Sequence, residues 1–100
     1  MARVFITNDT GLDFTKAERY GELVRLTSGS VDRFHPDRVE EDIRAALTAF
    51  GRDDFLLLTG DTLVNFLVAL VLCDVTLGDT VRLLLYDPRK RDYFVRTIGM

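Results

Sequence analysis

One hundred residues, 47% of them hydrophobic and with a formal net charge of −3, make one domain over 1–100 with a real but modest core. The acidic balance argues against general nucleic-acid binding, and the lone Cys73 excludes an intramolecular disulfide. The longest apolar stretch is broken by Asn65 and ends at Asp74, too short to span a bilayer, and Met1-Ala2-Arg3 leads straight into a strand with no signal peptide, so a cytosolic protein is expected.

Residues 3–8 read as a buried central strand, because Val4-Phe5-Ile6 leaves neither face polar. The loop Asn8-Asp9-Thr10-Gly11 follows. Thr15-Lys16-Ala17-Glu18 fits a capping box at the start of a short helix that Gly21 ends. Residues 22–27 form a second strand, leading into Thr27-Ser28-Gly29-Ser30. Pro36 suits the first turn of a second helix, with Asp37, Glu40 and Glu41 near its positive end. Val39, Ile43, Ala46, Leu47 and Phe50 make one apolar stripe along it, stopped by Gly51.

A third strand over 54–59, apolar on both faces, leads into Thr59-Gly60-Asp61-Thr62, where Asp61 or Thr62 can cap a third helix running to about Cys73. Leu63, Val64 and the run from Phe66 to Leu72 surround that helix with apolar side chains. A helix apolar all round needs cover all round, and two other helices, one of them short, do not supply it. Self-association is therefore expected, most simply as a two-fold dimer, and Leu67→Glu or Leu70→Glu should yield unfolded or aggregated protein. Within this run Cys73 reads as a small hydrophobe. Residues 81–86 give a fourth strand, Asp87-Pro88-Arg89-Lys90 a turn, and 92–98 a fifth strand returning antiparallel.

The order β-α-β-α-β-α-β-β with right-handed crossovers predicts an α/β, three-layer, Rossmann- or flavodoxin-like small sheet of order 2-1-3-4, with the antiparallel C-terminal strand at its edge. The chain then reverses direction between the first and third strands, and open α/β sheets bind ligands at such a crevice. All three Gly-containing loops meet there. Asn8, Thr10, Gly11, Thr27, Ser28, Thr59, Gly60 and Asn65 are the expected ligand-binding residues, offering short hydroxyls and backbone N–H groups to a nucleotide or sugar-phosphate. Turn-forming and N-cap roles account for the same residue types, and Asn65 serves equally to bond a loop carbonyl. Asp9, Asp13 and Asp61 would make the site acidic, which suits ribose hydroxyls, a base edge or a metal-bridged phosphate rather than a bare polyphosphate. Gly60→Val is expected to fill the ligand's space without changing stability.

No catalytic residue, metal site or cofactor is assigned. Ser-His-Asp, P-loop and metal-ligand spacings are missing, and His35, the one histidine, reads as a helix-entry or surface residue. Asp53-Asp54 and Glu40-Glu41 read as solvated caps. Arg89-Lys90-Arg91 with Arg82 and Arg96 is a solvated basic turn or an anion clamp. Asn8-Asp9-Thr10-Gly11-Leu12-Asp13 loosely resembles the flavodoxin phosphate loop at Thr10-Gly11 but departs from it at both ends, and no aromatic follows the third strand to stack on a flavin.

Asn8-x-x-Gly11-x-Asp13-Phe14, Ala17-Glu18-x-Tyr20-Gly21-Glu22, Leu26-Thr27-x-Gly29 and Arg96-Thr97-Ile98 together resemble a family of short tailed-bacteriophage proteins of no settled function. The resemblance implies a phage accessory protein acting in the bacterial cytosol and supplies no catalytic residue. Two functions follow as expectations. The first is a non-enzymatic, oligomeric binder of a nucleotide-like small molecule, sequestering a host signal. The second is a protein–protein interaction module, either an inhibitor of a host protein or a virion accessory. A small hydrolase or transferase using Asp9 or Asp13 is a weaker third.

Overall fold

The structure, a computed structural model, describes residues 2–75 and 80–99. Strands β1 (Arg3–Ile6), β2 (Glu22–Arg25), β3 (Phe55–Leu57), β4 (Thr80–Asp87) and β5 (Asp92–Gly99) form one sheet in the order β2-β1-β3-β4-β5. The first four run parallel and β5 is antiparallel to β4, as the chain order and crossover handedness predict. A 3-10 helix (Thr15–Tyr20) joins β1 to β2, α1 (Pro36–Leu47) joins β2 to β3, and α2 (Thr62–Val75) follows β3.

Alternation along the strands divides the core in two. Phe5, Leu56, Val81 and Leu83 face α1 and α2, where they meet the predicted stripe Val39, Ile43 and Leu47 together with Val64, Val68 and Val71. Val4, Ile6, Phe55, Leu57 and Leu84 face the other way, onto Phe14, Ala17 and Tyr93. The second face is covered lightly. One six-residue 3-10 helix lies over it, tied to the β4–β5 hairpin by Arg19 to Asp92 (3.0 Å) and by the Tyr20 hydroxyl donating to the Tyr93 carbonyl (3.2 Å).

Several local expectations are corrected. The Thr15–Glu18 capping box does not form. Asp13 Oδ1 instead accepts from both the Thr15 N–H and its hydroxyl, because an Asx turn two residues upstream reaches the first donor before Glu18 can fold back. Asp54 is not a solvated cap. It is 4% exposed, accepting from the backbone N–H groups of Arg3 (2.8 Å) and Gly51 (2.7 Å) and pairing with the Arg3 guanidinium (3.2 Å). As the sequence leads one to expect, the other described residues cover α2 on one side only. Val64, Leu67, Val68, Val71 and Leu72 are buried, whereas Phe66 and Leu70 are 61% and 47% exposed and Cys73 is exposed. The sheet and α1 can reach only one side of a helix that lies on them. No helix among the described residues is long and apolar enough to cross a membrane.

Candidate functional site

The residues that follow β1, β2 and β3 meet at the carboxyl edge of the sheet, and one side chain holds them together. Asn8 is 1% exposed. Its Oδ1 accepts from the Asp61 N–H (2.9 Å), and its Nδ2 donates to Thr27 Oγ1 (2.9 Å) and to the Gly29 carbonyl (3.1 Å). An amide carries both acceptor and donors, so one asparagine can stitch loops whose backbone groups have run past the end of the ladder. Thr7 does the same between β1 and β3, accepting from the Thr59 N–H (3.0 Å) and donating to the Thr59 carbonyl (2.9 Å). Thr27 donates to the Thr7 carbonyl (2.8 Å). A parallel bridge between Asp9 and Ser28 carries the β1–β2 pairing into the loops.

The predicted site residues thus fall into two groups. Asn8, Thr27, Thr59, Gly60 and Asn65 hold the loops in place; Asn65 Nδ2 donates to the carbonyls of Thr59 (3.0 Å) and Asp61 (2.8 Å). Thr10, Gly11 and Ser28 are exposed. Asn8, Thr10, Gly29, Ser30 and Asp61 line an open depression of about 410 Å³. Asp61 also caps α2, accepting from the N–H groups of Leu63 (2.8 Å) and Val64 (3.3 Å).

The site is not acidic in the way the sequence suggests. Asp9 pairs with Arg25 Nε at 2.6 Å, and Asp61 takes both Nε (3.1 Å) and Nη2 (2.7 Å) of Arg33. The Arg25 side chain, aided by the Gly11 N–H, holds the Asp9 carboxyl below its ordinary range, and Arg33 does the same for Asp61. The two guanidinium groups remain about half exposed. Charge at the rim is therefore balanced, with arginine donors still open to an incoming anion.

The family model for phage Pam3 gp32-like proteins matches residues 2–100. The chain belongs to that phage protein family. No curated protein and no solved structure matches it.

Elsewhere in this Pam3 gp32-like chain, the structure brings together residues that sequence reasoning missed. On the sheet's lightly covered face, at the same edge, Phe14, Leu57, Tyr86 and Tyr93 wall an apolar pocket of about 360 Å³, with exposed Asp13 and half-buried Thr59 as polar groups. The two tyrosines arrive from the C-terminal hairpin and Phe14 from the segment after the first loop, whereas no aromatic follows β3 directly. His35 sits at the entry to α1 as expected, with a partner that reading did not name: its Nδ1 lies 2.6 Å from Asp32 Oδ2, both side chains half exposed. The basic residues come together only in part. Lys90 and Arg96 line one pocket with Asp87 and Asp92, and Arg96 lies over Phe94, whereas Arg82 donates to the Asp53 carbonyl and lies over the Phe55 ring. Among the described residues no three His, Cys, Asp or Glu side chains are grouped to hold a metal ion.

Proposed function

We propose that this phage protein is a non-enzymatic binding protein whose ligand, a nucleotide-like small molecule, rests on the three stitched loops. One observation carries the reading. Asn8 locks the loops into a single preorganised surface, leaving the hydroxyls of Thr10 and Ser30 in the depression and the half-exposed guanidinium of Arg33, paired with its lining Asp61, to meet a ligand. Preorganised donors lower the ordering cost of binding, and arginine suits planar, bidentate recognition of phosphate. In a bacterial cytosol such a protein would act by sequestering a host nucleotide signal. Titration calorimetry of the wild type against nucleotides and cyclic nucleotides tests the reading. Ser30→Phe, which fills the depression from an exposed position, should weaken binding at least tenfold without lowering the melting temperature. A wild type that takes up none of these ligands, or a Ser30→Phe variant that binds as tightly, overturns it.

A second reading, a protein–protein interaction module, is favoured by exposed apolar side chains: Phe34 is 92% exposed and Phe66 61%. The apolar outer side of α2 would then serve self-association or a host partner. Stable pull-down of one partner by a ligand-free protein, lost in Phe66→Lys, supports this reading over the first.

A further inference from the structure

We propose that the pocket between Leu12–Phe14 and the β4–β5 hairpin is a nucleobase site, taking a purine against Tyr86 and Tyr93 with its amino-bearing edge toward the Asp13 carboxylate. Its volume, about 360 Å³, lies at the small end of the range of ligand pockets, and its lining has their character: mostly apolar and aromatic, with few polar groups. Tyr93 is 8% exposed and forms a fixed wall; Tyr86, its direct cross-strand partner, meets it edge-on with ring centroids 5.2 Å apart and stays 51% exposed. That leaves aromatic surface in water beside a cavity, an arrangement that a stacked ring would satisfy.

The polar groups narrow the class further. Asp13 accepts from Thr15 through Oδ1, which holds its carboxyl below the ordinary range. It is ionised at neutral pH and can only accept. It therefore asks for N–H donors and repels phosphate. Guanine, with its amino and ring N–H groups side by side, meets both demands in full and adenine meets them through its amino group alone, and a purine covers more of the two tyrosines than a pyrimidine. Thr59 lines this pocket and belongs to the third loop, while the segment from Asn8 to Phe14 runs from the loop depression to the pocket. For the sugar and phosphate the inference rests on the loop reading above; for the base it stands on the pocket alone.

The test uses guanosine and adenosine, which carry no phosphate, and ribose 5-phosphate, which carries no base, each titrated into the intact protein by calorimetry. Proton NMR of the Tyr86 and Tyr93 rings runs alongside. Expected are binding of the purine nucleosides, ring-current shifts at both tyrosines, and a loss of about fivefold or more in Tyr86→Ala. Asp13→Asn should weaken binding as well, and Tyr86→Phe should retain it. Tyr86 and Asp13 are exposed, so these variants keep the fold. Purine nucleosides that fail to bind, or bind equally well in Tyr86→Ala and Asp13→Asn, overturn the proposal. Nucleotide binding that falls in Ser30→Phe but not in Tyr86→Ala also overturns it, leaving the loop reading standing. Nucleoside binding that falls in Tyr86→Ala, with nucleotide affinity unmoved by Ser30→Phe, supports the pocket and removes the loop reading.

Discussion

Gly60 is pressed against Asn8. A Cβ built on Gly60 would lie 2.3 Å from Asn8 Oδ1 and 2.6 Å from the Asn8 carbonyl oxygen, and its φ of +76° is one that side chains rarely adopt. The glycine is there so that the third loop can approach the asparagine that binds it to the other two. This reverses the expectation that Gly60→Val would block a ligand while leaving stability alone.

Gly60→Ala should therefore destabilise the fold. The left-handed backbone alone costs about 1–2 kcal/mol, and displacement of the Asn8 amide adds to it, so a melting temperature lower by about 10 °C or more is expected. Gly29→Ala is the control. Its φ is +66° but nothing lies within 4 Å of its Cβ position, so only the backbone cost of about 1–2 kcal/mol should appear. Equal melting temperatures for the two variants would show that the Asn8 contact carries no weight.

Asp54 anchors the opposite edge of the sheet, and Asp54→Ala should cost about 3 kcal/mol in urea denaturation. The substitution leaves the Arg3 and Gly51 N–H groups without their acceptor. Asp53→Ala, one residue away and exposed, should stay within about 0.5 kcal/mol of wild type. A small effect at Asp54 would mean that water replaces it freely.

On α2 the two leucines proposed for charge substitution part company. Leu67 is 8% exposed and Leu70 47%. Leu67→Glu should unfold the protein, because it buries an unpaired carboxylate. Leu70→Glu should keep the native circular dichroism spectrum and, if the apolar side of α2 mediates self-association, run in sedimentation equilibrium as an 11.4 kDa monomer where wild type is heavier. Unfolding of Leu70→Glu would place that side chain in the core after all.

Acid should destabilise the fold through its surface carboxylates. Asp9, Asp13, Asp32, Asp61 and Asp92 are all held below the ordinary carboxylate range, by Arg25, Thr15, His35, Arg33 and the Tyr93 N–H respectively as the main causes. A group with a lowered folded pKa binds its proton more weakly when folded. Its contribution is complete above its unfolded value, about 3.9, and is lost as pH falls through the folded value. Urea midpoints should be flat from pH 7 to about pH 5 with respect to these groups and fall below about pH 4. Arg33→Gln should make that fall shallower, and a slope unchanged in the variant would exclude the Arg33–Asp61 pair from it.

Much of the fold is legible in the residues. Three-residue apolar runs such as Val4-Phe5-Ile6 mark strands covered on both faces, the Val39–Ile43–Leu47 spacing marks the buried side of α1, and crossover handedness then orders the sheet. That three loops meet follows from the same ordering. What Asn8 does there does not, because an asparagine after a strand looks the same whether it faces a ligand or ties backbone groups together. The outer side of α2 is legible in outline, because a helix apolar all round beside only two others already carries more apolar surface than they can cover; which of its residues stay in water depends on how the helix is turned on the sheet. The tyrosine pocket draws on residues 12–14, 57–59, 86 and 93, and no local pattern links positions so far apart.

The β4–β5 hairpin joins eight consecutive residue pairs across a four-residue turn, whereas the central parallel pairing of Val4 with Phe55 closes about fifty residues of chain. The two halves of this sheet therefore belong on different clocks. A hairpin can close in about 1–10 μs on its own, but β1 cannot pair with β3 until the long stretch of chain between them has brought the two together. Truncations within the hairpin, such as Val95→Ala, should slow folding, and Val39→Ala in α1 should mainly speed unfolding. Those two outcomes would make the segment that supplies Tyr86 and Tyr93 the first to become structured and the loops tied by Asn8 among the last.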